Sequence, residues 1–125
     1  MKKITCHLFG FLLPLLIFSQ TTAKEWYDKG ITLKNEKKSA EALTAFKEAL
    51  KLKSDYTEAL YESGWCQNEI KDYAGAIITL KQVRNYWPTV PKVYFELAYA
   101  FDKTGNTDSA ITNYNRCLQL KPDYA

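Results

Sequence analysis

Histidine is almost missing from this chain: His7 is the one histidine among 125 residues, and it lies near the N-terminus, ahead of an apolar run. Everything after that run therefore lacks the base of the Ser-His-Asp and Cys-His nucleophile systems, and the commonest metal ligand with it. Cysteine is scarce. Cys66 and Cys117, the two beyond the run, have no metal-ligand spacing. The five glycines form no phosphate-cradling loop. Carboxylates are scattered, and helical spacing singles out no pair as acid and base. Nor is one sign of charge in excess. Lys2 and Lys3 precede the apolar run, and without them 15 basic residues face 14 acidic ones. A nucleic-acid partner needs a concentrated basic face, so none is expected. These absences point away from an enzyme and imply no metal and no cofactor.

Long hydrophobic runs are also lacking, with one exception. Leu8 to Phe18 is apolar apart from Gly10 and Pro14, follows the basic start Met1-Lys2-Lys3, and precedes the small polar tail Ser19 to Ala23. That order is the pattern of a secretory signal peptide. The run is too short to cross about 30 Å of hydrocarbon, which takes roughly 20 residues. Cleavage is expected after Ala23, with Ser19 as the rival position and an uncleaved anchor as the alternative to both. Cys6 lies before the apolar run, which disfavours lipidation. The leader has a bacterial style and places the remaining chain in the periplasm or outside the cell, with no membrane span after cleavage.

The rest of the chain repeats itself. Trp26, Gly30, Ala42, Phe46 and Ala49 recur 34 residues on as Leu60, Gly64, Ala76, Leu80 and Val83, and again as Tyr94, Ala98, Ala110, Tyr114 and Cys117. Tyr27, Tyr61 and Phe95 keep the same phase, as do Leu43, Ile77 and Ile111. A fixed period of this size marks a solenoid whose units bury apolar faces only against neighbours. Within each unit, apolar residues at three- and four-residue spacing predict two helices. These cover Lys24–Asn35 and Ala40–Lys53, then Tyr56–Ile70 and Ala74–Trp87, then Lys92–Lys103 and a last helix ending near Lys121. Ser39 is the expected N-cap of the second helix, and Thr107 or Asp108 of the sixth. Pro91 suits a first helical turn, Pro88 and Pro122 stop helices, and Thr104-Gly105-Asn106 is the clearest turn.

This unit resembles the tetratricopeptide repeat, a helix–turn–helix of the same length with large, small and aromatic residues at set intervals. Three units follow the leader (1–23) in unbroken register: 23–56, 57–90 and 91–124. The departures are local: Lys29 stands where the family usually has Leu, Gly75 lies inside a second helix, and Ser54 replaces a closing Pro. The resemblance implies an all-α, right-handed superhelix of three antiparallel helix pairs. Cys66 and Cys117 would then sit on helices that do not touch. A disulfide needs Cα atoms within about 7 Å, so buried free thiols are the expected state.

The family lines its concave side with the first helix of each unit. On this sequence the groove would offer Lys24, Tyr27, Asp28, Ile31, Lys34 and Asn35 from repeat one, and Glu58, Tyr61, Glu62, Trp65, Asn68 and Glu69 from repeat two. Repeat three would add Lys92, Phe95, Glu96, Tyr99, Asp102 and Lys103. The pairs Tyr27/Ile31, Tyr61/Trp65 and Phe95/Tyr99 are i and i+4, so each shares a helix face. Stacked, they form an apolar row edged by Asp28, Glu62 and Glu96. Co-chaperone members place Lys, Asn and Arg at the Tyr27, Ile31, Trp65, Phe95 and Tyr99 positions to clamp a peptide carboxylate. None of those five matches, so a different ligand is implied: a protein or peptide segment with apolar anchors and basic residues. Against this stands the core reading, in which Tyr27, Tyr61 and Phe95 pack between neighbouring first helices and the acids form a solvated face. Trp65, Tyr99 and Ile31 are the stronger groove candidates. Nothing in the sequence covers the last helix pair, and terminal repeats normally need a polar cap. Either the chain continues, or this end meets another molecule such as a second copy. The expected function is non-enzymatic protein–protein interaction. The alternatives are a structural or assembly subunit of a bacterial cell-envelope complex, and the N-terminal scaffold of a longer protein.

Overall fold

A computed structural model describes Lys2 and residues 20–124. The apolar run, Cys6 and His7 lie outside the described residues. Six helices follow in order: α1 Ala23–Asn35, α2 Ser39–Leu52, α3 Thr57–Glu69, α4 Tyr73–Tyr86, α5 Pro91–Lys103 and α6 Thr107–Leu120. Each pairs with its sequence neighbour, and α3 also touches α5. The described residues form an all-α solenoid of three antiparallel helix pairs. No described helix is long and apolar enough to cross a membrane.

Local chemistry sets the helix ends. Thr22 begins α1 with a reciprocal capping box: its hydroxyl accepts from the Glu25 N–H, and the Glu25 carboxylate accepts from the Thr22 N–H. Asp72 and Asn106 cap α4 and α6 by accepting from the N–H of Gly75 and Ser109. Two expected caps are corrected. Ser39 is the first residue of α2 rather than its cap; Lys38 takes that place, and its side chain makes no capping bond and pairs with Glu36 instead. Asn106, one residue before Thr107, caps α6. Pro91 opens α5 as expected.

The small residues on the first helices admit the second helices. A Cβ on Gly30 would lie 2.5 Å from Phe46, and one on Gly64 would lie 2.6 Å from Leu80. Phe46 and Leu80 are fully buried as a result. One apolar cluster joins α2 to α3 through Ala42, Leu43, Phe46, Ala49, Ala59 and Cys66. A second joins α3, α4, α5 and α6 around Leu60, Leu80, Val83, Val93 and Leu97. Leu50 packs against both, so the core is continuous along the stack. Cys66 and Cys117 are buried free thiols. The Tyr94 hydroxyl donates to the Pro88 carbonyl at 2.6 Å and ties α5 to the link before it.

Candidate functional site

The row led by Tyr27 packs inward. Tyr27 lies half-buried against Phe46 and Tyr56, with ring centroids 5.7 and 5.0 Å away. Tyr61 is only 7% exposed, packs on Trp87, and has the Lys92 ammonium 4.1 Å from its ring centre. Phe95 meets Tyr114 and Tyr124. Burial raises the Tyr27 and Tyr61 hydroxyls above their ordinary pKa. The row led by Ile31 lies further out, with Ile31, Trp65 and Tyr99 all half-buried. Trp65 has the Lys34 ammonium 4.3 Å from its ring, and Tyr99 stands edge-on to Tyr73. Trp65, Glu69, Phe95, Glu96 and Tyr99 line a shallow hollow of about 170 Å³ between α3 and α5. A larger hollow of about 350 Å³, ringed by Trp26, Lys29, Leu33, Glu41, Thr44 and Ala45, contains none of the expected groove residues.

The acids are held by the protein itself. Lys34 reaches from α1 to Glu62 on α3 at 2.6 Å, with side chains 25% and 12% exposed. One unit on, the Asn68 amide donates from α3 to the Glu96 carboxylate at 2.9 Å and to the Glu96 carbonyl at 3.1 Å. Lys34 and Asn68 occupy equivalent positions, as do Glu62 and Glu96, so these are two rungs of one ladder with a separation of 28 residues. Burial lifts the Glu96 carboxyl above the usual carboxylate range, and the Asn68 bond opposes that lift. Asn68 is itself 2% exposed, and its Oδ1 is sealed without a partner. Asp28, the equivalent in repeat one, pairs with Lys24 of its own helix. Glu69 differs from all of these: it is exposed, lines the hollow, and has no ion pair among the described residues.

The tetratricopeptide repeat family profile matches residues 27–91 and 91–124. The chain belongs to the tetratricopeptide repeat family. Among solved structures, this tetratricopeptide repeat protein is similar to MamA residues 41 to the end from Desulfovibrio magneticus RS-1, with a TM-score of 0.81 and 27% identity. That match covers 84% of this chain and 59% of that one. YrrB, titled a TPR protein with an unusual peptide-binding site, matches with a TM-score of 0.80 and 18% identity, over 85% of this chain and 55% of its own. The first TPR of Spaghetti (RPAP3), bound to the HSP90 peptide SRMEEVD, matches with a TM-score of 0.78 and 17% identity, over 82% of each chain. The chain thus spans less than two thirds of the length of the first two. No curated protein sequence matches.

The sequence reading did not identify the ladder in this tetratricopeptide repeat protein. It named Glu62, Glu96, Lys34 and Asn68 as groove residues but did not join them. The available signal was the repeat itself: an acid at one position in every unit, Asp28, Glu62 and Glu96, with Lys34 and Asn68 at another in the first two. The structure brings Trp65, Phe95, Glu96 and Tyr99 together around one hollow, while Tyr27 and Ile31 lie outside it and pack, as Trp65 also does, against the α2–α3 cluster. Among the described residues, no three His, Cys, Asp or Glu side chains gather where a metal ion could be held.

Proposed function

We propose that this chain is a non-enzymatic interaction module that grips a peptide segment of a partner protein at the hollow between α3 and α5. One observation carries the reading: part-exposed aromatics from successive units, Trp65 and Tyr99, share a hollow with Glu69, an acid with no ion pair among the described residues. The ligand that suits it has an apolar anchor, with a Lys or Arg nearby. Glu62 and Glu96 are already engaged in rungs, so Glu69 is the acid that meets that cation. YrrB and the Spaghetti domain are peptide-binding by their titles, which supports a protein or peptide partner here. The acidic HSP90 peptide is not carried over, because the charged residues that line this hollow are Glu69 and Glu96, while the Lys34 and Lys103 ammoniums stand over the Trp65 and Tyr99 rings at 4.3 and 5.4 Å. A buried aromatic contact covers 150–250 Å², roughly 5 kcal/mol gross before ordering costs. Two or three such anchors give affinity on the order of micromolar. Processing of the leader would place this activity in the periplasm or outside the cell, with an envelope or secreted protein as partner.

The test is selection of binders to the full chain from a displayed peptide library, followed by calorimetry. Selected peptides should share an aromatic or aliphatic anchor beside a basic residue. Trp65→Ala and Tyr99→Ala should each weaken binding about tenfold or more, and Glu69→Gln should flatten its salt dependence. Peptides that bind both alanine variants as tightly as the parent would place the site elsewhere.

A further inference from the structure

The two ends of the stack are built differently, and the repeat allows a position-by-position comparison. On α3, Ala59, Ser63 and Cys66 are buried, as are Val93, Leu97 and Ala100 at the equivalent positions of α5. Their counterparts on α1 are Glu25, Lys29 and Thr32, all exposed. The N-terminal face is therefore polar. Its apolar part is the hollow around Trp26 and Leu33, where the Lys29 ammonium lies 4.7 Å from the Trp26 ring and Glu41 stands at the rim. The opposite end has no such finish. Leu43 on α2 is 7% exposed and Ile77 on α4 is half-buried, since α3 and α5 lie against those helices. At the same position of α6, Ile111 is 53% exposed. Leu50 and Arg84 are half-buried, whereas Leu118 is 46% exposed. With Tyr114 between them, Ile111 and Leu118 form an uncharged stripe along α6 that keeps the pattern of a covered face.

We propose that this α6 face is a self-association surface that closes a two-fold dimer with a second copy of the chain. Head-to-tail stacking is disfavoured, because it would press Glu25 and Lys29 against Ile111 and Leu118 and leave both charges desolvated. A second copy can cover the stripe with its own, in an isologous contact that stops at two. Charge favours that arrangement. When α6 lies antiparallel on itself with Ile111 opposite Leu118 of the second copy, Asp108 falls opposite Lys121. That happens twice by symmetry. Both residues are exposed, and neither has an ion pair among the described residues. A face one helix wide is smaller than the about 800 Å² per partner of a standard interface, so a micromolar dimer is expected.

Sedimentation equilibrium of the full chain, from about 1 to 500 μM, tests this. A monomer–dimer equilibrium is expected, weakened at least tenfold by Leu118→Glu and by Ile111→Glu. Asp108→Lys should weaken it as well, and adding Lys121→Asp to that variant should restore it. These two exposed sites keep the test open should Ile111→Glu misfold. A monomer across the range overturns the proposal, and a monomer that binds a synthetic helix of the α5 sequence marks the face as a seat for a different helix. Association that survives Leu118→Glu undiminished overturns it too, as does a charge reversal without rescue. Retained binding of peptides at the α3–α5 hollow by the Leu118→Glu variant shows that the two surfaces are independent.

Discussion

At the scale of single residues, the turn inside each unit is the plainest case of sequence and backbone in disagreement. Lys37, Lys71 and Gly105 are equivalent, and all three have positive φ, at 61°, 65° and 78°. For a side chain other than glycine, the left-handed conformation costs roughly 1–2 kcal/mol, part of which glycine returns through its greater unfolded-state freedom. Lys37→Gly and Lys71→Gly should therefore each stabilise the fold by about 0.5–1 kcal/mol, and Gly105→Lys should destabilise it by a similar amount. The next residue in each unit is Lys38, Asp72 or Asn106, and only the last two can cap. Lys38→Asn should add about 1 kcal/mol. Urea denaturation of the four variants checks both claims. Gly105 was legible as a turn because its residue type signals its conformation. The other two were not, since lysine says nothing about φ, and the cap at Lys38 was misplaced onto Ser39 because serine is the better capping residue. Buried ionisable groups add a pH effect. Burial pushes the Cys66 thiol up to about 12 from an ordinary 9.0, so above pH 9 the folded chain holds a proton that the unfolded chain releases. Stability then falls as pH rises from 9 towards 12. The melting temperature should drop over that range, and less steeply in Cys66→Ala.

Between helices, the ladder decides how successive first helices hold together. Asn68 satisfies a part-buried carboxylate, and its loss would leave Glu96 short of a donor where water is largely excluded. Asn68→Ala should cost about 1–3 kcal/mol. Lys34→Met should cost a similar amount, because it leaves the Glu62 carboxylate, only 12% exposed, without its partner. Thermal melts of both variants should fall, and a loss confined to one of them would contradict the ladder. The solenoid, its six helices and its glycine contacts were legible because a period of apolar and small residues reports packing directly. The rungs were not, because polar residues on one helix face look alike whether they meet solvent or the next unit. Helix α1 bears on the leader as well. Thr22 and Glu25 form its capping box, so cleavage after Ser19 would keep the cap, whereas cleavage after Ala23 would remove it at a cost of about 1 kcal/mol. N-terminal sequencing of exported chain separates the two: a start at Lys24, the expected site, would show that the cap is dispensable, and a start at Gln20 would show that the rival site is used and the cap kept.

For the whole molecule, stability in a stack of units that touch only their neighbours should be graded along the chain rather than uniform. Helix α3 packs against α2, α4 and α5 and buries residues from Ala59 to Asn68. Helix α1 buries only Gly30 fully. Helix α6 buries Ala110, Asn113 and Cys117 and presents Ile111 and Leu118 to solvent. Hydrogen exchange in dilute solution should thus be slowest in α3, α4 and α5, faster in α1, and fastest in the last turns of α6. Concentration then separates two causes of protection at the C-terminal end. Protection intrinsic to the solenoid is independent of concentration. Protection supplied by a second copy on α6 rises with it and follows mass action. The α6 amides should therefore slow as the parent chain is concentrated and stay fast in Leu118→Glu, while α3 is unmoved in both. If α6 in dilute parent chain were as protected as α3, the unit-by-unit account of stability would fail, because no neighbour in the described residues covers its outer face.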